Sequence, residues 1–430
     1  MTVRFGIIGS GLIGQEHIRN LKILPTAEVV AVADTNSGSL NTAKALLDGQ
    51  DCTYLDSYKE LLALENVDAV LIATPNFHHI NVLRDAIAAE KHILCEKPMC
   101  ISIAECAEVE YLLEQSGKYL TFGRANSNTA SSKVFWVGME YRYYPSIARL
   151  IKEVHGGSVG KLHMFSIREH RFPFLDKVGN WNRFTVNTGD TLVEKACHFF
   201  DLMRHVVQSN PVSIFATGNQ DVNHLEESYS PDSVVLKPGH KKVSKEGSLL
   251  SDILDNAYVV VNFENGVRAL LDLCMFAEAS KHQEELAAVG SKGKVEAFAP
   301  SHGQKENSQG SFIRIGRRTE WVSRADAPDP KTMNPIEEIQ TEIEAKLMEA
   351  GDHGGATYYE QRDFTNVVEN KDSTSIHQGV GIEDGVYAVL MGVAAHRSID
   401  GNRVVLMSEV FDELKAAKER LQNNSKKQKI

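Results

Sequence analysis

Over the first hundred or so residues, short apolar runs alternate with stretches whose apolar side chains return every three or four positions. Val3 to Ile8, Glu28 to Ala33, Ala69 to Ala73 and His92 to Cys95 are compact and aliphatic, which predicts buried strands. Between them, Leu12 to Lys22, Ser37 to Leu47, Phe77 to Ala89 and Ser102 to Ser116 carry helical spacing. Continuous apolar strands separated by helices predict a parallel sheet covered on both faces, an α/β doubly wound arrangement.

After about residue 120 the rhythm changes. Val134 to Met139 reads as a strand, and Pro145 opens a helix to His155, proline being suited to a first turn. Apolar residues recur at helical spacing from Asp190 to Val207. Ala257 to Phe263 and Val267 to Leu273 flank Glu264-Asn265-Gly266, and Asn-Gly between apolar runs signals a hairpin. Another hairpin is expected around Gly290 to Gly293, and two late helices over Tyr358 to Val368 and Asp384 to Arg397. A C-terminal α+β domain follows, with a large, mainly antiparallel open sheet and helices on one face. Tyr119 to Ser132, Asp221 to Ser251 and Arg324 to Asp352 are polar with weak periodicity and read as insertions or loose loops. The expected division is residues 1–133 for the parallel-sheet domain (119–132 an insertion), 134–421 for the second domain, and 422–430 as a frayed polar tail.

A length of 430 residues agrees with two domains, and 42% hydrophobic with 24% charged residues is ordinary for a soluble globular chain. The net charge of −11 argues against nucleic acid or an anionic membrane as the main partner. The six cysteines form no CxxC pair and are expected as free thiols in a reducing, cytoplasmic compartment. Met1 leads straight into a strand without a signal-peptide layout, and no run is apolar and long enough to span a bilayer. Sixteen histidines are scattered without HExxH, and His78 and His79 are adjacent rather than one turn apart, so no metal site is expected.

Chemistry enters at Gly9-Ser10-Gly11-Leu12-Ile13-Gly14, which matches GxGxxG. The pattern alone is weak. Here it follows a strand, opens a helix, and is followed by Asp34 at the end of the second strand, the full context of a Rossmann dinucleotide-binding turn. The helix N-terminus offers unpaired N–H groups and partial positive charge to a diphosphate. Asp34 can accept from ribose hydroxyls and would repel a 2′-phosphate, and Thr35 and Asn36 are neutral, so NAD is expected over NADP. The bland alternative is a structural glycine turn beside a surface aspartate.

Further along come Thr74-Pro75-Asn76-Phe77-His78-His79 and Cys95-Glu96-Lys97-Pro98, then Val137 to Tyr143, and Glu194-Lys195-Ala196-Cys197-His198 with Asp201. TPNxxH and EKP in this order after GxGxxG, with the later E-xxx-H, resemble the glucose–fructose oxidoreductase / inositol dehydrogenase / MocA family of NAD(P)-dependent oxidoreductases. The resemblance spans nearly the whole chain outside the insertions. Glu194 stands where the family usually has aspartate, and Lys195-Ala196 replaces the usual x-Gly, although a branch of the family carries E-K-x-C-H as its normal form. The resemblance implies hydride transfer between nicotinamide and a carbinol carbon of a cyclitol, sugar or related polyol. It places Lys97 and His198 across the substrate from each other.

Lys97 would stabilise the developing alkoxide, His198 would exchange the hydroxyl proton, and Glu194, one turn before His198, would orient the imidazole or bind a substrate hydroxyl. Without the resemblance, Lys97 reads as a surface charge, His198 as a core residue between Cys197 and Phe199, and the Glu194/His198 pair as a structural hydrogen bond. The Thr74-Pro75-Asn76 loop is expected at the nicotinamide, with His79 packing on it and Glu96 beside the cofactor; Asn76 can alternatively cap the next helix. Arg142, His170, Trp181, Asn182 and Tyr358 are substrate-contact candidates, their aromatic and polar mix suiting a sugar. Two other readings stay open: an enzyme that retains NAD during glycoside cleavage or epimerisation, and a non-catalytic sugar or cofactor sensor. An exposed sheet of residues such as Val259, Val261, Leu270 and Leu273 would need a cover, so a homodimer or homotetramer is expected.

Overall fold

The computed structural model describes residues 2–120, 133–300, 311–318, 334–369 and 379–428. Most of the expected insertion at 119–132, and part of that at 324–352, fall outside them.

The N-terminal unit is a six-stranded sheet in the order β3-β2-β1-β4-β5-β6. Its strands are β1 (Val3–Ile8), β2 (Ala27–Ala33), β3 (Thr53–Leu55), β4 (Ala69–Ile72), β5 (His92–Glu96) and β6 (Phe135–Gly138). Every neighbouring pair is parallel. Phe5, Ile7, Val32, Val70, Leu71, Ile93 and Leu94 are fully buried, as strands packed on both faces require. The crossovers are α1 (Leu12–Ile23), α2 (Ser37–Leu46), α3 (Tyr58–Leu62), α4 (His79–Ala88) and α5 (Ile103–Ser116). At the start of α5, Ser102 Oγ accepts from the Glu105 N–H and caps the helix, while Glu105 Oε2 reaches back to accept from the Ile101 N–H just ahead of the cap. Strand β6 belongs to this sheet, pairing with β5 over Ile93–Glu96, so the parallel sheet reaches past residue 133.

Beyond it come α6 (Pro145–His155), β7 (Leu162–His170), α7 (Thr185–Thr188), α8 (Thr191–Glu194), α9 (Cys197–Val207) and β8 (Pro211–Asn219). The segment expected as a loose loop at 221–251 holds a small antiparallel pair, β9 (Ser228–Tyr229) with β10 (Leu249–Leu250). Then follow β11 (Asn256–Phe263), β12 (Arg268–Cys274), β13 (His282–Gly290), β14 (Gly293–Pro300), β15 (Phe312–Arg317) and β16 (Glu337–Gln340). The chain closes with α10 (Ala345–Ala350), α11 (Ala356–Val368), α12 (Ile382–Gly401), β17 (Val405–Leu406) and α13 (Met407–Gln428). The nine-stranded sheet runs β16-β15-β14-β13-β7-β12-β11-β8-β17, antiparallel except for β7 beside β12. Both expected hairpins are present, as β11–β12 and β13–β14.

Helices α6, α9 and α12 cover one face of this sheet. Val259, Val261 and Leu273 point into that covered side and are buried. Of the four residues expected on the open face, Leu270 alone is there, joined by Phe215, Tyr258 and Val260. The expected register was one residue off, and in a strand that exchanges the two faces. The last helices return to the first domain: α13 packs on α5 and α11 on α1. The expected tail at 422–430 is helical as far as Gln428, with Tyr111 donating to Ser425 Oγ at 2.6 Å.

Candidate active site

The strand order reverses between β1 and β4, and ligands of open α/β sheets sit at that crevice, beyond the carboxyl ends of the strands. A cavity of about 790 Å³ opens there. Gly9, Gly11, Leu12, Asp34, Asn36, Thr74, Pro75, Asn76, His79, Glu96 and Lys97 lie on its wall, and Asp176, Lys177, Val178, Trp181, Glu194 and Val235 close it from the second domain.

The glycines divide the work. Gly9 has φ +93°, and a Cβ there would stand 2.6 Å from the Ala73 carbonyl oxygen. A Cβ on Gly14 would run into the Gly9 carbonyl, so α1 can approach the sheet only without one. Nothing lies within 4 Å of a Cβ on Gly11, which is the N-cap of α1 and borders the cavity. That space is open for a ligand. Asp34 is fixed by the turn it serves, accepting from Ser10 N at 2.6 Å and Oγ at 3.0 Å, and from Asn36 N at 2.8 Å. Ser10 therefore shapes the site from behind and is buried, and neither Ser10 nor Gly14 is on the wall. Leu12 and Ile13 are on it, at the mouth of the helix.

Thr74 Oγ1 and Asn76 Nδ2 are buried with no hydrogen-bond partner among the described residues, and both residues face the cavity. Asn76 caps neither the short turn it begins nor α4, so the alternative role does not account for it. Unsatisfied polar groups of this kind fit the polar head of a bound ligand. His79 sets Nδ1 2.9 Å from the Pro98 carbonyl and Nε2 3.0 Å from that of Thr74, linking the β4 and β5 loops. A neutral ring donates to one of them at a time, and burial lowers the pKa of this imidazole. Glu96 accepts from His17 Nε2 at 2.6 Å, and Gln361 holds the other ring nitrogen of His17 at 2.7 Å.

Lys97 donates from Nζ to the Glu194 carbonyl at 3.3 Å. Burial opposes its charge, but Cys197, Glu140, Glu194 and Glu96 outweigh burial and raise its pKa. The Glu194 carboxylate lies 3.6 Å from Lys177 Nζ, and that ammonium sits 4.7 Å from the centre of the Trp181 ring.

Three expected relationships are not realised. The helix breaks between α8 and α9, so Glu194 turns to Lys177 instead of orienting His198. His198 lies off the cavity wall, its ring stacked on Tyr141 at 4.3 Å and 13°, and its Nε2 faces Glu140 Oε1 at 3.6 Å. Burial first, then the charges of Lys97 and Lys195, drive its pKa well below the usual imidazole value. Arg142 is away from the cavity, buried and paired in a fork with Asp201 at 2.7 and 2.5 Å.

Two other substrate candidates also belong to the framework. His170 points to the open face of the sheet and contacts Asp272 at 3.1 Å, while its neighbour Glu169 turns inward to Lys195 Nζ at 2.9 Å. Asn182 donates to the Leu175 carbonyl behind Trp181. Tyr358 packs beside Tyr359 on α11, off the wall. Trp181 is the substrate candidate of this group that borders the cavity.

Lys177 and His353 carried no motif, and Glu140, inside the Val137 to Tyr143 stretch, was given no role. The Lys177-to-Trp181 spacing, with the ammonium over the ring, is a signal that a closer reading of 175–183 would have caught. Nothing in the sequence points to His353.

Fold and cavity together define a protein of two domains with a dinucleotide-type crevice at the switch point of its parallel sheet, bordered by residues of the second domain. Residues 3–124 match the model of an oxidoreductase family with an NAD-binding Rossmann fold, and 151–407 match that family's C-terminal alpha/beta domain. The chain belongs to the Gfo/Idh/MocA oxidoreductase family, and it is an NAD-dependent oxidoreductase. It is 24% identical over 411 residues to a myo-inositol 2-dehydrogenase of Thermotoga maritima, covering 95% of this chain and 100% of that one. An uncharacterised oxidoreductase of Bacillus subtilis, YrbE, is 26% identical over 311 residues, 72% of this chain and 77% of its own. Among solved structures, a levoglucosan dehydrogenase in complex with NADH and levoglucosan superposes with TM-score 0.70 at 17% identity, covering 95% of this chain and 100% of the other.

Proposed function

We propose that the chain oxidises a carbinol of a cyclitol, sugar or related polyol at the junction of the cavity's two halves. The observation that carries this reading is one wall that combines the dinucleotide turn, Lys97 at the end of β5, and Lys177, Trp181 and Glu194 from the second domain. When bound, NAD supplies the hydride acceptor. Gly9 to Ile13 and Asp34 would hold its diphosphate and ribose ends, and Thr74, Asn76 and Glu96 its nicotinamide end.

Lys97, kept charged by its acidic neighbours, donates to the reacting oxygen and favours the alkoxide. The Trp181 face suits the C–H surface of a sugar ring, and Lys177 and Glu194 suit its hydroxyls. His198, held neutral, accepts the hydroxyl proton once substrate and coenzyme have drawn the site together. A homodimer or homotetramer closing the open sheet face, and a reducing cytoplasmic setting for the six free thiols, complete the reading. Among the described residues no helix is long and apolar enough to cross a membrane.

The test is a panel of cyclitols, aldoses and sugar acids offered with NAD and with NADP, followed at the reduced-nicotinamide absorbance. Steady growth with a polyol and NAD is expected. An enzyme that retains its coenzyme through glycoside cleavage would convert substrate with no such growth, and that outcome would replace the dehydrogenase reading.

A further inference from the structure

Between the cleft and the outer surface of α1 lies a row of buried ionisable groups that binding and orientation leave unexplained. Glu140, in the turn after β6, points a single oxygen at two imidazoles. Its Oε1 is 3.6 Å from His198 Nε2 and 3.7 Å from His353 Nε2. His353, in the loop before α11, is held on its other side by Glu16, Nδ1 to Oε1 at 2.7 Å. Thr357 Oγ1 donates to the same Glu16 oxygen at 3.1 Å.

A buried carboxylate that served structure alone would have its lone pairs filled. Glu140 Oε2 has no partner among the described residues, and the two imidazoles that face Oε1 each stand beyond ordinary hydrogen-bond reach by a few tenths of an ångström. His198 Nδ1 is likewise buried and unpartnered. A small rotation of one carboxylate would bring its oxygen into hydrogen-bond range of either ring in turn.

The surroundings are mixed in sign. Glu140 also feels Lys97 and Glu96 from the β5 loop and Glu360 from α11. His353 feels Lys195 as well as its two carboxylates.

We propose that His198, Glu140, His353 and Glu16 form a buried proton path that carries the proton of the oxidised hydroxyl from the cleft to solvent. The proposal rests on the dehydrogenase reading. In the oxidation the substrate's C–H and O–H bonds break and a C=O bond forms. The C–H electron pair leaves as hydride to NAD, and the hydroxyl proton goes to His198 Nδ1. His198 passes its Nε2 proton to Glu140. The step runs through the neutral form of His353, protonated at Nδ1 beside Glu16: Nε2 takes the proton from Glu140 while Nδ1 releases its own to Glu16, which yields it to water. Reduction runs the same steps backwards. Glu140 and His353 are positioning and relay residues in this scheme and need not touch substrate.

Glu140→Gln and His353→Gln are compared with wild type in NAD calorimetry and in turnover, in H2O and D2O, with and without added imidazole. Both variants are expected to bind NAD with unchanged affinity and to lose about 10- to 100-fold in kcat, the smaller side of a general acid–base contribution. Added imidazole restores part of the loss, and the solvent isotope effect rises as proton exit becomes limiting. Turnover within about twofold of wild type in both variants would overturn the path alone, as would a loss that imidazole and D2O leave untouched. A wild-type protein that binds no NAD or oxidises no polyol would bring down the dehydrogenase reading, and the path with it.

Discussion

Individual side chains divide into those that hold the fold and those that border the cavity, and the division is testable at two basic residues. Arg142 forms a buried fork with Asp201, so Arg142→Met leaves a carboxylate buried without its main partner and should cost about 3–5 kcal/mol in thermal or denaturant unfolding. Lys97→Met should leave unfolding nearly unchanged while lowering kcat/KM about 100- to 10,000-fold in a coupled assay. A reversed pattern would exchange the two roles. Lys97 was legible because a motif names it. Arg142 was misread because its partner lies 59 residues away, and a polar residue among tyrosines looks the same whether it lines a pocket or a core. His170 was misread for a smaller reason: Glu169 points inward in β7, so the polar side chain that enters the interior is one position earlier.

At the level of elements, the turn from β1 into α1 separates fold from ligand binding. Gly11→Ala adds a methyl group to open space, so its melting temperature should stay within a degree or two of wild type by scanning calorimetry, while NAD affinity falls. Gly14→Ala drives the same methyl into the Gly9 carbonyl and should destabilise the domain clearly. Equal melting temperatures for the two variants would contradict the assignment. The N-terminal strands β1, β2, β4, β5 and β6 and helices α1, α2, α4 and α5 were legible to within a residue or two, because each is strongly periodic, whereas β3 and α3 are three and five residues long and too short to show a period. Strands β7 and β8 were not, since polar side chains at Glu169 and Ser213 interrupt their buried faces. Helix α13 was not foreseen because few of its side chains are apolar; Val410 and Leu414 are buried, and docking on α5, with Lys418 reaching Glu114 at 2.5 Å, supplies what propensity does not.

For the whole molecule, the second domain is tied back to the first through α1. Arg19 Nε donates to the Ala350 carbonyl at 2.9 Å, Gln361 grips His17, and His353 meets Glu16. Burial opposes the His353 charge, but Glu16 and Glu140 outweigh it and lift its pKa from 6.5 to about 9. Glu16 moves down from 4.5 to about 2, held against burial by His353 and His17. The raised histidine contributes stability in full below 6.5 and loses it as pH rises through about 9. The lowered carboxyl contributes above 4.5 and loses its share as pH falls through about 2. Thermal melts should therefore decline between 6.5 and 9 in wild type, with a flatter profile in His353→Gln; parallel curves would contradict the tie.

On the open face of the sheet, Val260 (38% exposed) pairs across the strands with Phe215 and with Leu270 (37%), an apolar row over β12, β11 and β8 toward the β17 edge. Val260→Lys should shift the mass seen by light scattering from oligomer to monomer. A wild-type protein already monomeric at micromolar concentration would remove that expectation. The existence of an open sheet was foreseen from the hairpins, but its face was not, because alternation alone does not say which side the helices cover.

The measurement that bears most directly on the whole account is a calorimetric titration of the folded protein with NAD and, separately, NADP. One NAD bound per chain, more tightly than NADP because Asp34 stands at the end of β2, is the predicted result. Uptake of neither coenzyme would contradict it.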